Sequence, residues 1–307
     1  MSFIVVTGAG AAGLPTARQF AEAGEHVRQI TRSGRGVHHP LVELVAADIT
    51  DADRLTELTE GARVLVNCAV PPFPRWAVDL PPMAAALLTA VERTGADYVM
   101  LGNTYGYGPV QGPMTEDLPM AATTVKGVVR AQMWLDALAA HEAGRVRVTE
   151  VRSAAFLGPG PVGAYAMFVA SAVLAGEIAS YPGDLDVPHS WNYTEDIART
   201  LVAASREDRA WGRAWHVPAT SSVSVRVLSE RLAELAGVAA PRLRRLHRED
   251  LIEMARTQPM FGELLEMLYS NESPHVLDST HTQDVLGVRP TPLDVVLADT
   301  LAGTPAN

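Results

Sequence analysis

Short apolar runs recur along the first half of the chain, each followed by a segment whose apolar positions fall at helical spacing. Residues 2–7, 26–30, 41–46, 63–68, 98–101 and 146–152 read as strands. Residues 12–23, 51–58, 80–94 and 123–142 read as helices, with Gly24, Gly95 and Gly144 as stops. The run Pro71–Pro72–Phe73–Pro74 forces a loop before the third helix. Short, largely apolar strands alternating with helices predict a doubly wound parallel α/β sheet buried on both faces. Beyond about residue 155 the alternation loosens. Helices are expected over 163–175, 195–205, 224–236, 248–256 and 259–269, and short strands over 178–181 and 214–217. We therefore divide the chain into a nucleotide-binding domain, 1–155, and a smaller, mostly helical substrate region, 156–307, from which strands can return to the main sheet.

The first strand runs into Thr7-Gly8-Ala9-Gly10-Ala11-Ala12-Gly13, and a helix follows. Strand, G-x-G-x-x-G turn and helix, in that order, make a dinucleotide site of the Rossmann type. Gly8 permits the tight turn, Gly10 lets backbone approach a pyrophosphate, and Gly13 lets helix and strand pack closely. Ala12 lies at the helix start, where free N–H groups and the helix dipole favour phosphate. The second strand ends at Thr31-Arg32-Ser33, where NAD-binding chains carry an acid. Arg32 can pair with a 2′-phosphate, so NADP is preferred over NAD, with Arg35 as a possible aid. Asp48, followed by Ile49, can accept from the adenine amino group. Asn67 and Ala69, at the end of the fourth strand, let the chain pass beneath the cofactor. Asp51 and Asp53 suit the start of the next helix.

Composition narrows the rest. A formal charge of −10 over 307 residues argues against a nucleic-acid partner. Cys68, the only cysteine, fits a reducing cytoplasm and reads as a small core residue. The start Met1-Ser2-Phe3-Ile4 lacks a signal peptide's basic region, and no apolar run is long enough for a membrane span. No metal-ligand spacing and no G-x-S-x-G elbow occur.

The chain resembles the extended or atypical short-chain dehydrogenases/reductases of the NAD-dependent epimerase/dehydratase type. The glycine turn carries the resemblance together with Asp48-Ile49, Asn67-Cys68-Ala69, Asn103-Thr104-Tyr105-Gly106-Tyr107-Gly108, Lys126, the run Arg152 to Gly160, and the run Trp191 to Ala198. The resemblance implies a Ser/Thr, a Tyr, and a Lys four residues after that Tyr. It places the first at Asn103 or Thr104 and the lysine at Lys126, the only lysine in the chain. The tyrosine position then holds Ala122, which cannot transfer a proton. Tyr105 is the first candidate for a substitute acid, and Lys126 is expected to hold the nicotinamide ribose.

On the substrate side, Phe73, Arg75 and Trp76 follow the fourth strand, and His189, Trp191, Asn192 and Tyr193 form a second polar–aromatic cluster. Tyr107 is included among the substrate contacts, although the resemblance implies a structural tyrosine there. Asp196 is expected to cap the helix that follows it. The apolar stretch Met254 to Tyr269 reads as core, a pocket wall or a subunit contact. The expected activity is NADP-dependent oxidation or reduction of a small organic molecule. An epimerase or dehydratase with tightly held cofactor and a non-catalytic NADP(H) sensor are the alternatives. A homodimer through long helices such as 123–142 is also expected.

Overall fold

The computed structural model describes residues 2–160 and 163–303; Met1, Pro161, Val162 and residues 304–307 lie outside it. The first half contains β1 (Phe3–Thr7), α1 (Gly13–Glu22), β2 (Val27–Thr31), β3 (Val42–Ala46), α2 (Ala52–Thr59), β4 (Ala62–Asn67), α3 (Trp76–Thr94), β5 (Asp97–Asn103), α4 (Val125–Glu142) and β6 (Val148–Ser153). Beyond it lie β7 (Ala155–Leu157), α5 (Ser171–Leu174), β8 (Ile178–Pro182), β9 (Trp191–Tyr193), α6 (Thr194–Ala204) and β10 (Ala214–His216). They are followed by α7 (Val225–Ala236), β11 (Arg242–Leu246), α8 (Arg248–Ala255), α9 (Pro259–Met267), α10 (Tyr269–Glu272), α11 (Thr280–Leu286) and α12 (Leu293–Ala302).

The main sheet has seven strands in the order β10-β6-β5-β4-β1-β2-β3, and the pairs between neighbours are parallel. The strand order reverses between β1 and β4, where Thr7 pairs with Asn67, and a crevice opens there at the carboxyl edge. One face is covered by α2, α3 and α4 through Leu55, Leu80, Leu87 and Trp134. The other is covered by α1 and α6 through Phe20, Ile197 and Leu201. The sheet thus takes its strand β10 from the second half of the chain. The remaining elements form a smaller body around two two-stranded sheets, β8/β11 and β7/β9, with Val169, Trp191 and Leu228 at its centre.

Helix α3 begins at Trp76, four residues before the expected start at 80, after a single 3-10 turn over Phe73–Arg75. Trp76, Leu80, Met83 and Leu87 form one buried stripe, so burial starts the helix despite the prolines behind it. Pro81 and Pro82 sit on its exposed side.

Asp196 does not cap α6; Tyr193 holds that position without a side-chain capping bond. The Asp196 carboxylate is fully buried and accepts from the N–H and Oγ1 of Thr291, both at 2.7 Å, and from Arg199. It ties the C-terminal segment to the sheet layer. The neighbouring Glu195 accepts from Arg18 (2.5 Å) and Gln19 (2.8 Å), joining α6 to α1. Removing this buried carboxylate strands the Thr291 N–H and hydroxyl. Asp196→Ala is therefore expected to cost about 2–4 kcal/mol in urea unfolding, and a loss under about 0.5 kcal/mol would contradict that role.

Candidate active site

At the end of β1 the chain turns through Gly8 at φ +92°, where a Cβ would lie 2.9 Å from the backbone of Ala69. A Cβ on Gly13 would come within 2.5 Å of the Gly8 carbonyl oxygen. Both glycines are therefore required by backbone contact. Gly10 differs: a Cβ there meets nothing within 4 Å, so the space it leaves open faces the crevice. Ala12, the N-cap of α1, makes no side-chain cap bond, and the first turn carries no acid. The helix N-terminus is open to an anion, as a pyrophosphate needs.

Two buried side chains that support the turn have different histories in the sequence. Asn67 was expected against the cofactor, but it lies beneath the turn. It accepts from Thr7 Oγ1 (2.6 Å) and from the Ala69 N–H (3.1 Å). Gln29 was missed. Its Nε2 donates to the Gly8 carbonyl (2.9 Å) and its Oε1 accepts from the Val37 N–H (2.8 Å). The available signal was a polar residue at the centre of the second strand, on the same face as the buried apolar Val27.

At the adenosine end Arg32 is exposed, and its charge reaches Asp48 and Asp79 through space without a hydrogen bond. Asp48 already has work: its Oδ1 accepts from the N–H (2.9 Å) and hydroxyl (2.8 Å) of Thr50, and these bonds lower its pKa. Ile49 packs against the core under α2 and α3.

A cavity of about 440 Å³ runs from Gly10–Ala12 past Cys68–Val70 and Gly102–Tyr105 to Ser153–Phe156, and on to His189, Trp191 and His275. It brings together the expected Asn103, Thr104, Tyr105, Phe73, Trp76, Ala69, His189 and Trp191. Three buried polar atoms on its wall have no hydrogen-bond partner: Arg130 Nε, Ser153 Oγ and His189 Nε2. Native interiors rarely leave such atoms unmatched, so these three are open to partners from a ligand. Arg130 is the only Asp, Glu, Lys or Arg on that wall among the described residues, and its guanidinium lies 4.4 Å from the Trp76 ring. Cys68 also touches the cavity, but burial pushes its thiol up to about 12, which excludes a thiolate nucleophile.

Lys126 corrects the sequence reading. Its side chain is buried but is not part of the cavity wall. Its Nζ is bound by Glu263 and by Glu266 (2.6 Å), both on α9, and lies 4.8 Å over the Phe73 ring. Glu266 also accepts from the Lys126 N–H at 2.6 Å. Ala122 precedes α4, whose N-cap is Thr124, so Ala122 and Lys126 do not share a helical face. Lys126 and Arg130 do, four residues apart on one helix. Arg130 is the cavity-facing cation that the sequence reading passed over.

Tyr107 is a second correction. It is buried away from the cavity and accepts from Arg152 Nη1 at 2.7 Å. Its hydroxyl lies 2.7 Å from His216 Nε2, and His216 Nδ1 lies 2.9 Å from the Asp278 carbonyl, so the imidazole carries its proton on Nδ1. Arg152 also donates to Glu150 (2.6 Å). This network fixes the loop after β5; it does not touch the cavity. Tyr105 does line the cavity, and its hydroxyl has no hydrogen-bond partner among the described residues. Burial raises its pKa, and the Arg130 charge opposes the rise.

Thr104 Oγ1 lies 2.8 Å from His275 Nε2, and the His189 ring stands 6.5 Å from that of His275. Burial pushes His189 down to about 4 and His275 to about 3. Both are neutral at pH 7. Below about pH 6.5 the unfolded chain takes up protons that the folded histidines refuse. Stability is therefore lost as pH falls from about 6.5 towards 4, with a slope approaching about 1.4 kcal/mol per pH unit per histidine. The urea midpoint is expected to drop between pH 7 and pH 5, and to drop less in His189→Gln; equal slopes would contradict the assignment.

Among the described residues no helix is long and apolar enough to cross a membrane, and no group of three or more metal-ligating side chains forms. A search of the curated proteins finds no sequence match. Solved structures share the fold over nearly full length. UDP-glucose 4-epimerase from Thermotoga maritima, with UDP-glucose, is 17% identical, covering 96% of this chain and 97% of its own at a TM-score of 0.77. dTDP-glucose 4,6-dehydratase from Bacillus anthracis, in complex with NAD, is 16% identical, covering 99% and 96% at 0.79. The Bordetella bronchiseptica enzyme WbmH, in complex with NAD+, is 20% identical, covering 99% and 98% at 0.74. The family model matches residues 4–217, from β1 just past β10, and so takes in the glycine turn, both sheet edges and α4. The chain belongs to the NAD dependent epimerase/dehydratase family.

Proposed function

We propose that this chain is an NADP-dependent oxidoreductase that reduces a small carbonyl compound. One observation carries the reading: the open glycine cradle at Gly10 is continuous with a cavity whose only charged wall residue among those described, Arg130, has an unpartnered nitrogen and shares that wall with Thr104 and Tyr105. NADPH, when bound, supplies a hydride to the carbonyl carbon. The α1 N-terminus and the Gly8–Gly13 turn hold the pyrophosphate. Arg32, exposed and without a hydrogen bond, pairs with the 2′-phosphate.

Lys126 and Arg130 lie one turn apart on α4, and in this reading Arg130, which lines the cavity, takes the role the resemblance gave to Lys126. Arg130 then holds the ribose hydroxyls at the nicotinamide end, while Lys126 is held by Glu263 and Glu266 and anchors α9 over the cavity. Tyr105 donates the proton to the carbonyl oxygen, and the neighbouring guanidinium stabilises the charge left on the phenolate. A groove between α3 and α4, with Val125, Val128 and Leu135 exposed on α4, supports a homodimer through these helices.

The family membership favours a second reading, an epimerase or dehydratase that returns its hydride. Net NADPH consumption with carbonyl substrates separates the two, since an epimerase shows none. Arg130→Gln is expected to weaken cofactor binding or turnover at least tenfold, and Lys126→Gln to change cofactor affinity less than threefold. The opposite pattern would restore Lys126 to the ribose. Arg32→Ala is expected to weaken NADPH about tenfold and leave NADH unchanged, consistent with loss of one charge-assisted phosphate pair. Equal effects on both nucleotides would contradict the NADP preference.

A further inference from the structure

The wall of the cavity beyond the glycine cradle is built from two separate chains of ring contacts. Phe73 meets Trp76 at 5.0 Å edge-on, and Trp76 meets Tyr105 at 6.0 Å. These rings come from the loops after β4 and β5. From the second half of the chain, Tyr165 meets Trp191 at 5.4 Å, Trp191 meets His189 at 6.2 Å, and His189 meets His275 at 6.5 Å. All seven rings line the same cavity.

Apart from Arg130, its polar side chains are uncharged hydroxyls, amides and imidazoles, Asn103 and Asn271 among them. His189 and His275 are neutral, Ser153 and Thr104 are uncharged, and Arg130 is the single cation, already packed on Trp76. A nucleoside diphosphate brings charges that need several cations or N–H clusters to leave water. Arg130 alone does not meet that need. A cavity lined by two chains of aromatic rings suits a flat aromatic ligand, and neutral buried donors and acceptors suit an uncharged oxygen.

We infer that the substrate is an uncharged aromatic aldehyde or ketone, held between these two ring chains, and not a nucleoside diphosphate sugar. His189 Nε2 and Ser153 Oγ, the two orphaned neutral groups, supply the hydrogen-bond partners for its polar substituents. The inference rests on the reductase reading for the nature of the reacting group.

The test is binding to the full chain saturated with NADP+, which cannot deliver a hydride, read by ligand-observed NMR. Benzaldehyde is expected to bind at least tenfold more tightly than cyclohexanecarbaldehyde, and UDP-glucose to show no saturable signal at millimolar concentration. Phe73→Leu is expected to weaken benzaldehyde at least fivefold while NADP+ affinity stays within twofold, which separates loss of the ring from loss of the fold. Tighter binding of UDP-glucose, or equal affinity for the two aldehydes, would overturn the inference and leave the cofactor reading intact. Failure to bind NADP+ at all would overturn both.

Discussion

The site depends on how closely backbone passes backbone where β1, β4 and α1 meet. With a Cβ on Gly8, the turn would collide with Ala69; with one on Gly13, the helix would be pushed off the Gly8 carbonyl. That contact sets the direction of α1 and so aims its uncapped N-terminus at the crevice. Asn67 and Gln29 brace the same turn from β4 and β2, so the cradle is held from both sides of β1. The cavity, the placement of the β5 loop and the docking of the second half follow from a sheet whose order reverses at this point.

The electrostatics divide along α4. Its first turn carries Lys126, neutralised by two carboxylates from α9. One turn on, Arg130 faces the cavity with no carboxylate of its own and an aromatic ring beneath it. The buried Arg152–Glu150 pair lies behind, closed on itself through Tyr107 and His216. Arg130 is thus the one charged side chain on the cavity wall among the described residues, and its Nε, left without a hydrogen bond, is the feature a ligand oxygen would complete.

Much of this was legible in the sequence. The strands of the first half, the glycine turn and the long α4 follow from apolar runs and glycine punctuation, because each element's burial is local and periodic. The start of α3 was misread because prolines dominated the reading, although the Trp76–Leu80–Met83–Leu87 stripe was already visible. Lys126 was misplaced for a different reason. The resemblance assigned it by motif position alone, whereas α4, expected from 123, starts at Val125 with Thr124 as its cap and leaves Lys126 in the first turn. Neither the capture of Lys126 by Glu263 and Glu266 nor the Thr104–His275 contact has a local signature, since the partners lie more than a hundred residues apart. The three-residue strands β7, β9 and β10 are similarly set by tertiary pairing; only β10 stood out as an apolar segment.

Gly10 offers the most direct measurement, because its side-chain space is empty in the protein and opens on the cavity where the proposed cofactor would lie. Equilibrium titration with NADPH, followed by energy transfer from tryptophan to the nicotinamide, should be compared between the natural chain and Gly10→Val. The expected result is saturable binding by the natural chain, at least a hundredfold weaker in the variant, with both unfolding at the same urea concentration. Equal NADPH affinity in the two proteins, or no binding by either, would contradict a dinucleotide held at the glycine turn.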